Sequence, residues 1–191
     1  MKAEQLTGLL AAVSHLTEKK KALPYLELDS MMLAQVVEVA RKVNQNDISP
    51  MHIQNWVRRK YLPKPCKKKY DREQVASILL INDLRNILSL EQISALLGFV
   101  NLDLHDLSDD RIHPAKLYQY YSEIFDRTQQ DWGKMTDQLA AEVGESLARE
   151  QMSEEDRAAV AVTLVILNLL ARANLYKQIA LHWLEEVTEE G

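Results

Sequence analysis

The chain has 191 residues, 47% of them apolar and 27% charged, enough to bury a substantial core and too hydrophobic for disorder to be its main state. Five glycines and five prolines leave little of the turn chemistry that barrels, sandwiches and Gly-rich phosphate loops need, so helices are expected. One cysteine, Cys66, excludes an intramolecular disulfide framework or a Cys-rich zinc site and suits a reducing compartment, with the cytoplasm as the expectation.

The net charge of −5 argues against nucleic acid until it is resolved along the chain. Residues 41–74 hold ten Lys or Arg against three acids, a local +7, and the other 157 residues carry −12. A cationic island in an anionic protein is the footprint of a confined surface for phosphates.

In chain order, Leu6–Leu16 reads as a short amphipathic helix and LPYLEL as a docking arm, which together make residues 1–29 an N-terminal appendage. The apolar patch there precedes its basic run, so no secretory signal is expected. Asp29 and Ser30 are N-cap candidates for a helix through Val43, with Met32, Val36, Val39, Ala40 and Val43 on one face. The NQND cluster at 44–47 stops it. Ser49-Pro50 starts a second helix, with Ile53, Trp56 and Val57 at helical spacing and an end near Lys60. Asp71 caps a strongly apolar third helix and Ser89 a fourth that stops at Gly98. Residues 99–114 read as an acidic linker.

From Ala115 a long helix is expected to about Glu150, with an apolar stripe at steps of three or four. Its 36 residues would extend about 54 Å. Ser153 caps a last helix to about Val187, apolar nearly all round, which must be covered on both sides. A homodimer follows as the expectation, with 115–188 as the dimerising region. The fourteen-residue apolar run Ala158–Ala171 falls short of the roughly 20 residues that cross a bilayer, so a buried helix and no membrane are expected. Tyr118, Tyr121, Phe125 and Trp132 gather aromatics that would line an effector pocket, although aromatics at helical spacing normally pack. The His and carboxylate residues Asp103, His105, Asp106, Asp109, Asp110 and His113 lie scattered on the linker and read as caps and solvated charges rather than a metal site. No nucleophile elbow, HExxH helix or paired acid and base is found, so neither an enzyme nor a cofactor is expected.

Helix, four-residue turn, helix, then a proline-containing cationic connection to a third helix is the order of a helix-turn-helix with a short wing. Its second helix would offer His52, Gln54, Asn55, Arg58, Arg59 and Lys60 to the major groove of double-stranded DNA. Arg41, Lys42 and Ser49 complete the expected contact set on that side. The runs ISPMHIQNWVRRKYLPKP, KKKYDREQVASILLINDL and LSLEQISALL resemble the DNA-binding head of MerR-type transcription regulators over residues 30–98. Shared features are the second helix, the leucine-proline exit, a tyrosine closing the wing, the pair Leu84-Arg85 and the start Ser89-Leu90-Glu91.

The resemblance implies an all-α, MerR-like winged helix-turn-helix with a minimal wing, phosphate contacts by Lys67, Lys68 and Lys69, and Tyr70 in the place of the closing tyrosine. The whole chain is similar to an uncharacterised bacterial family of MerR-like proteins, domain of unknown function 1836. It departs from MerR-type heads at Gln54 and Asn55, where they carry an arginine and an aromatic, at Lys60, where they carry glycine, and in a shorter wing. The competing expectation is a protein-interaction module that uses the same basic face on an acidic partner.

Overall fold

The computed structural model describes residues 29–43, 46–101 and 106–189, with the side chains of 129, 130, 132, 133 and 189 outside that description. The expected helix Leu6–Leu16 and the docking arm lie outside it, as do Asp103 and His105. The elements run β1 (Ser30–Met32), α1 (Leu33–Val43), α2 (Pro50–Arg58), β2 (Lys69–Asp71), α3 (Arg72–Leu84), α4 (Leu90–Gly98), α5 (Pro114–Leu147) and α6 (Glu154–Glu189). The protein is mostly helical, as expected, and to the all-α reading the structure adds one small two-stranded sheet.

That sheet changes the reading of residues 29–32. Ser30–Met32 pairs antiparallel with Lys69–Asp71, in the register Ser30↔Asp71, Met31↔Tyr70 and Met32↔Lys69. Side chains alternate across a strand, so Met31 and Tyr70 point inward at 2% and 3% exposure while Met32 and Lys69 face out. Ser30 is therefore not the N-cap. Helix α1 begins at Leu33, and the Gln35 side chain reaches back to accept a hydrogen bond from the Met32 N–H at 2.8 Å.

Three helices start on reciprocal caps placed by the expected residues. Ser49 and His52, Asp71 and Gln74, and Ser89 and Gln92 each exchange a side-chain and a backbone hydrogen bond at the starts of α2, α3 and α4. Gly98 does not stop α4 as a left-handed residue: it lies in the last turn, and Phe99 in right-handed backbone is the C-cap.

The chain divides into two compact units. Among the described residues, one comprises those up to Ile124 with Leu181–Glu189, the other Phe125–Ala180. In the first unit α3 is the central helix, with Val75, Ala76, Ile78, Leu79, Leu80 and Ile81 all buried. A helix apolar around its circumference needs neighbours on every side. The strands, α1 and α4 pack on it, and its cluster includes Val36, Ile48, Ile53, Trp56, Ile93 and Tyr118. The expected acidic linker belongs to this unit: the Arg111 N–H donates to the Val100 carbonyl at 2.9 Å, and Asn101 Nδ2 to the Ile112 carbonyl at 2.6 Å. So does the beginning of α5, where Ala115 and Tyr118 are buried.

In the second unit, Leu139, Val143 and Leu147 of α5 meet Val165 of α6 in a small core. Arg157 closes the connection by donating to the carbonyls of Leu147 and Glu150, and Ser153 caps α6 through the Asp156 N–H at 3.1 Å. Most of α6 is uncovered within a single chain. Ile166, Leu167, Leu170, Leu175 and Tyr176 are each at least half exposed. By length and composition α6 also reaches what is needed to cross a membrane.

Candidate nucleic-acid interface

Helix α2 is built as a two-faced rod. Ser49 accepts the His52 N–H at 3.4 Å and donates its own N–H to His52 Nδ1 at 3.3 Å, and Pro50 occupies the first helical position. Ile53 and Trp56 are buried, and the His52 ring stacks on Trp56 with centroids 6.4 Å apart. Ser49 and His52 thus shape the helix start, and His52 is half-buried. The outer face at spacings of three and four is Met51, Gln54, Asn55 and Arg58, with Met51 76% exposed. Met51 escaped the sequence reading, although its spacing from Gln54, Asn55 and Arg58 was visible. Arg58 donates to Asn55 Oδ1 at 2.7 Å, which aims the guanidinium along that face.

The helix ends on a left-handed lysine. The Lys60 N–H donates to the Val57 carbonyl at 3.1 Å and the Tyr61 N–H to the Trp56 carbonyl at 2.9 Å, a Schellman closure with Lys60 at φ 64°. That backbone position favours glycine, which accounts physically for the departure at Lys60 being a costly one. Arg59 turns away to α4. It donates to Glu91 Oε1 at 2.8 Å, where the Tyr61 hydroxyl also donates at 2.6 Å, and it lies 5.0 Å over the Tyr61 ring. The Tyr61 hydrogen bond first, and then the backbone N–H of Glu91 itself, lower the Glu91 carboxyl from its ordinary value.

Residues Cys66–Lys69 form a hairpin with a two-residue turn. Lys69 N–H donates to the Cys66 carbonyl at 2.8 Å, with Lys67 at φ 49° and Lys68 at φ 65° between them. Positive φ at both central residues is the geometry of a type I′ turn, normally Asn-Gly. Lys67, Lys68 and Lys69 are all exposed. Tyr70 is not: it is 3% exposed, burial pushes its hydroxyl above the usual tyrosine range, and it supports the hairpin from the core instead of offering a surface contact. The three left-handed residues other than glycine among the described ones, Lys60, Lys67 and Lys68, all belong to the cationic island.

The turn before α2 is fixed from behind by α3. Asn46 Nδ2 donates to the Asn82 carbonyl at 2.7 Å, Asn86 Nδ2 donates to Asn46 Oδ1 at 2.8 Å, and Arg85 donates to the Asp47 carbonyl and to Asn82 Oδ1. Arg41 Nε donates to the Ile48 carbonyl at 3.2 Å. Arg41 is thereby committed to the turn, and Lys42 is paired with Glu38 at 2.7 Å. Arg58, Lys60, Lys64, Lys67, Lys68 and Lys69 make no ion pair among the described residues.

Of the four aromatics expected to line an effector pocket, Tyr118 and Tyr121 meet, their ring centroids 6.1 Å apart. Tyr118 is fully buried in the core of the first unit. Tyr121 packs against the same core and donates to Asp83 Oδ2 at 2.8 Å; burial and that carboxylate push its hydroxyl far up. Phe125 is half-buried at the start of the other unit's share of α5, and the Trp132 side chain is outside the described residues. The described residues hold no group of three or more potential metal ligands.

A curated relative, an uncharacterized protein YkrK from Bacillus subtilis (strain 168), is 30% identical over 116 residues, 58% of this chain and 50% of that protein. The chain thus spans about half the length of that relative. No solved structure matches. A family model described as a domain of unknown function (DUF1836) matches residues 18–121, nearly the compact unit up to Ile124. The chain belongs to that family, whose defining segment carries the helix-turn-helix candidate, the hairpin and the first turns of α5 as one folded body.

Proposed function

We propose that the protein is a homodimeric, DNA-binding transcriptional regulator of a reducing cytoplasm, with a MerR-like winged helix-turn-helix head. In this reading α1, the turn and α2 form the helix-turn-helix, and the hairpin at Cys66–Lys69 is the minimal wing. Met51, Gln54, Asn55 and Arg58 face base edges in the major groove, and Lys60, Lys67, Lys68 and Lys69 take phosphates. The observation that carries it is the set of six cations without ion pairs among the described residues, three of them held at positive φ. Left-handed lysines cost conformational energy and persist where charge at that place has a use. Arg41, Lys42 and Arg59 drop out as leading contacts because protein groups already engage them.

Selection of bound fragments from genomic DNA, followed by fluorescence anisotropy on the enriched duplex, tests the reading. Arg58→Ala should cost about 1–3 kcal/mol on the selected sequence and far less on unrelated DNA. No enrichment of any sequence, with binding to heparin and to acidic proteins alike, would instead establish the competing function of a protein-interaction module. The internal pairing of Arg59 with Glu91 and the burial of Tyr70 favour that second reading, since each removes a contact that a DNA-reading head would use.

The dimer rests on α6. An apolar surface left in water costs about 25 cal/mol per Å² relative to burial, and half-exposed leucines, isoleucine and tyrosine recur along this helix. A bilayer is a poorer cover, because Arg172 lies well inside the helix and a charge at a membrane-centred position costs about 2.5–3.5 kcal/mol.

A further inference from the structure

Helix α6 has two unlike sides within the second unit. Val165 is buried in that unit's core, with Ala161, Leu164 and Leu169 packed beside it. At about 100° of turn per residue, the side opposite Val165 carries Val160, Thr163, Leu167, Leu170, Asn174 and Lys177. All six are exposed, Leu167 at 56% and Leu170 at 62%. They recur at alternating steps of three and four residues, the repeat by which one helix lays a seam along another. A helix packed only on α5 needs a single apolar stripe, and α6 has this second one on its far side.

The polar positions of the seam carry the orientation. The Thr163 hydroxyl donates to the Ala159 carbonyl at 2.9 Å and keeps its lone pairs for a donor. The Asn174 amide makes no hydrogen bond among the described residues, and Lys177 makes no ion pair among them. In a parallel pair in register each residue meets its own copy. Lys177 would then face the partner's Lys177, and Asp156, one step further along the seam, the partner's Asp156, so like charges would repel at both ends.

An antiparallel pair centred between Asn168 and Leu169 sorts the same residues by kind. Leu167 meets the partner's Leu170, and Thr163 meets the partner's Asn174. Lys177 lies against the partner's Val160, within about one helical turn of the partner's Asp156. The Asn174 amide then has the Thr163 oxygen to donate to, and opposite charges replace like ones. A polar layer in such a seam lowers stability unless both members are satisfied, which is why it selects register.

We infer, on the footing of the homodimer proposed above, that α6 pairs antiparallel with α6 of a second copy along Val160–Lys177, with the Thr163 and Asn174 layers fixing orientation and register.

Disulfide cross-linking of the full chain in a Cys66→Ser background tests the orientation. Thr163→Cys and Asn174→Cys chains, carrying tags of two sizes, are coexpressed and oxidised. The mixed pair should cross-link with about tenfold the yield of either variant alone. In the antiparallel seam two copies of the same position lie eleven residues apart along the axis, about 16 Å, beyond the reach of a disulfide. Should a seam variant disturb the dimer, a nitroxide on Gln178→Cys, exposed beside the seam, decides instead. The label pair should lie about 30 Å apart in the antiparallel dimer and about 15 Å or less in a parallel one. A wild-type chain that sediments as a monomer overturns the homodimer itself. A dimer in which each cysteine variant cross-links with its own copy, or whose labels at position 178 lie close together, overturns the antiparallel seam and leaves the homodimer standing.

Discussion

Lys67 and Lys68 show how a single residue type serves two opposed demands. Both sit in left-handed backbone, which costs a residue with a Cβ roughly 1–2 kcal/mol relative to its right-handed form. The double substitution Lys67→Asn with Lys68→Gly, which installs the favoured asparagine-glycine turn, should therefore stabilise the hairpin by up to about 1 kcal/mol in urea denaturation. The same change should make the slope of log affinity against log salt shallower by about 2 in a duplex-binding assay. A gain in stability with an unaltered salt slope would remove the wing from the DNA interface. Glu91 offers a second test at this scale. Its carboxyl is held below the ordinary value in the folded chain, first by the Tyr61 hydroxyl, so its contribution is present above the unfolded value and is lost as pH falls through the folded one. In a carboxyl-carbon NMR titration Tyr61→Phe should raise the Glu91 midpoint toward that of an ordinary glutamate; an unmoved midpoint would mean the Tyr61 bond does not form in solution.

Among the elements, α3 carries the architecture and positions α2. Its last turn and the residues just after it hold the turn at 46–48 through Asn46, Asn82, Arg85 and Asn86. Asn46→Ala should cost about 1–2 kcal/mol, because the Asn82 carbonyl and the Asn86 amide lose their partner in a half-buried place. If α2 reads DNA, the variant should also weaken binding to all sequences alike, whereas Arg58→Ala acts on the preferred one. A loss below about 0.3 kcal/mol by chemical denaturation would mean that the turn holds itself. The helix starts were legible because Ser49, Asp71, Ser89 and Ser153 signal locally, through side chains that reach only three residues along the chain. The β1–β2 pair was not legible, because its partners lie about forty residues apart and three-residue strands carry no periodicity of their own.

For the whole molecule, the family segment and the compact unit coincide closely, and both run past the acidic stretch into α5. Glu73 accepts the Ala115 N–H and Asp83 accepts the Tyr121 hydroxyl, so the long helix begins as part of the head. The exposed face of α6 predicts self-association. Leu167→Lys with Leu170→Lys should turn a dimer into a monomer in sedimentation velocity, with the thermal transition of the first unit retained. A wild-type chain that is monomeric at all concentrations would remove this expectation and leave another protein or a lipid surface to cover the helix.

Composition, charge segregation and capping residues by themselves determined that the chain is helical, that its cations gather between residues 41 and 74, and where most helices begin. These are local or additive properties, readable without knowing which segments meet. Only the tertiary structure decided that Tyr70 and Tyr118 are core, that Arg59 answers to Glu91, and that the expected linker folds into the first unit. Each of those outcomes depends on contacts between residues distant in sequence, and burial, which sets the strength of every charge and hydrogen bond, exists only once such contacts form.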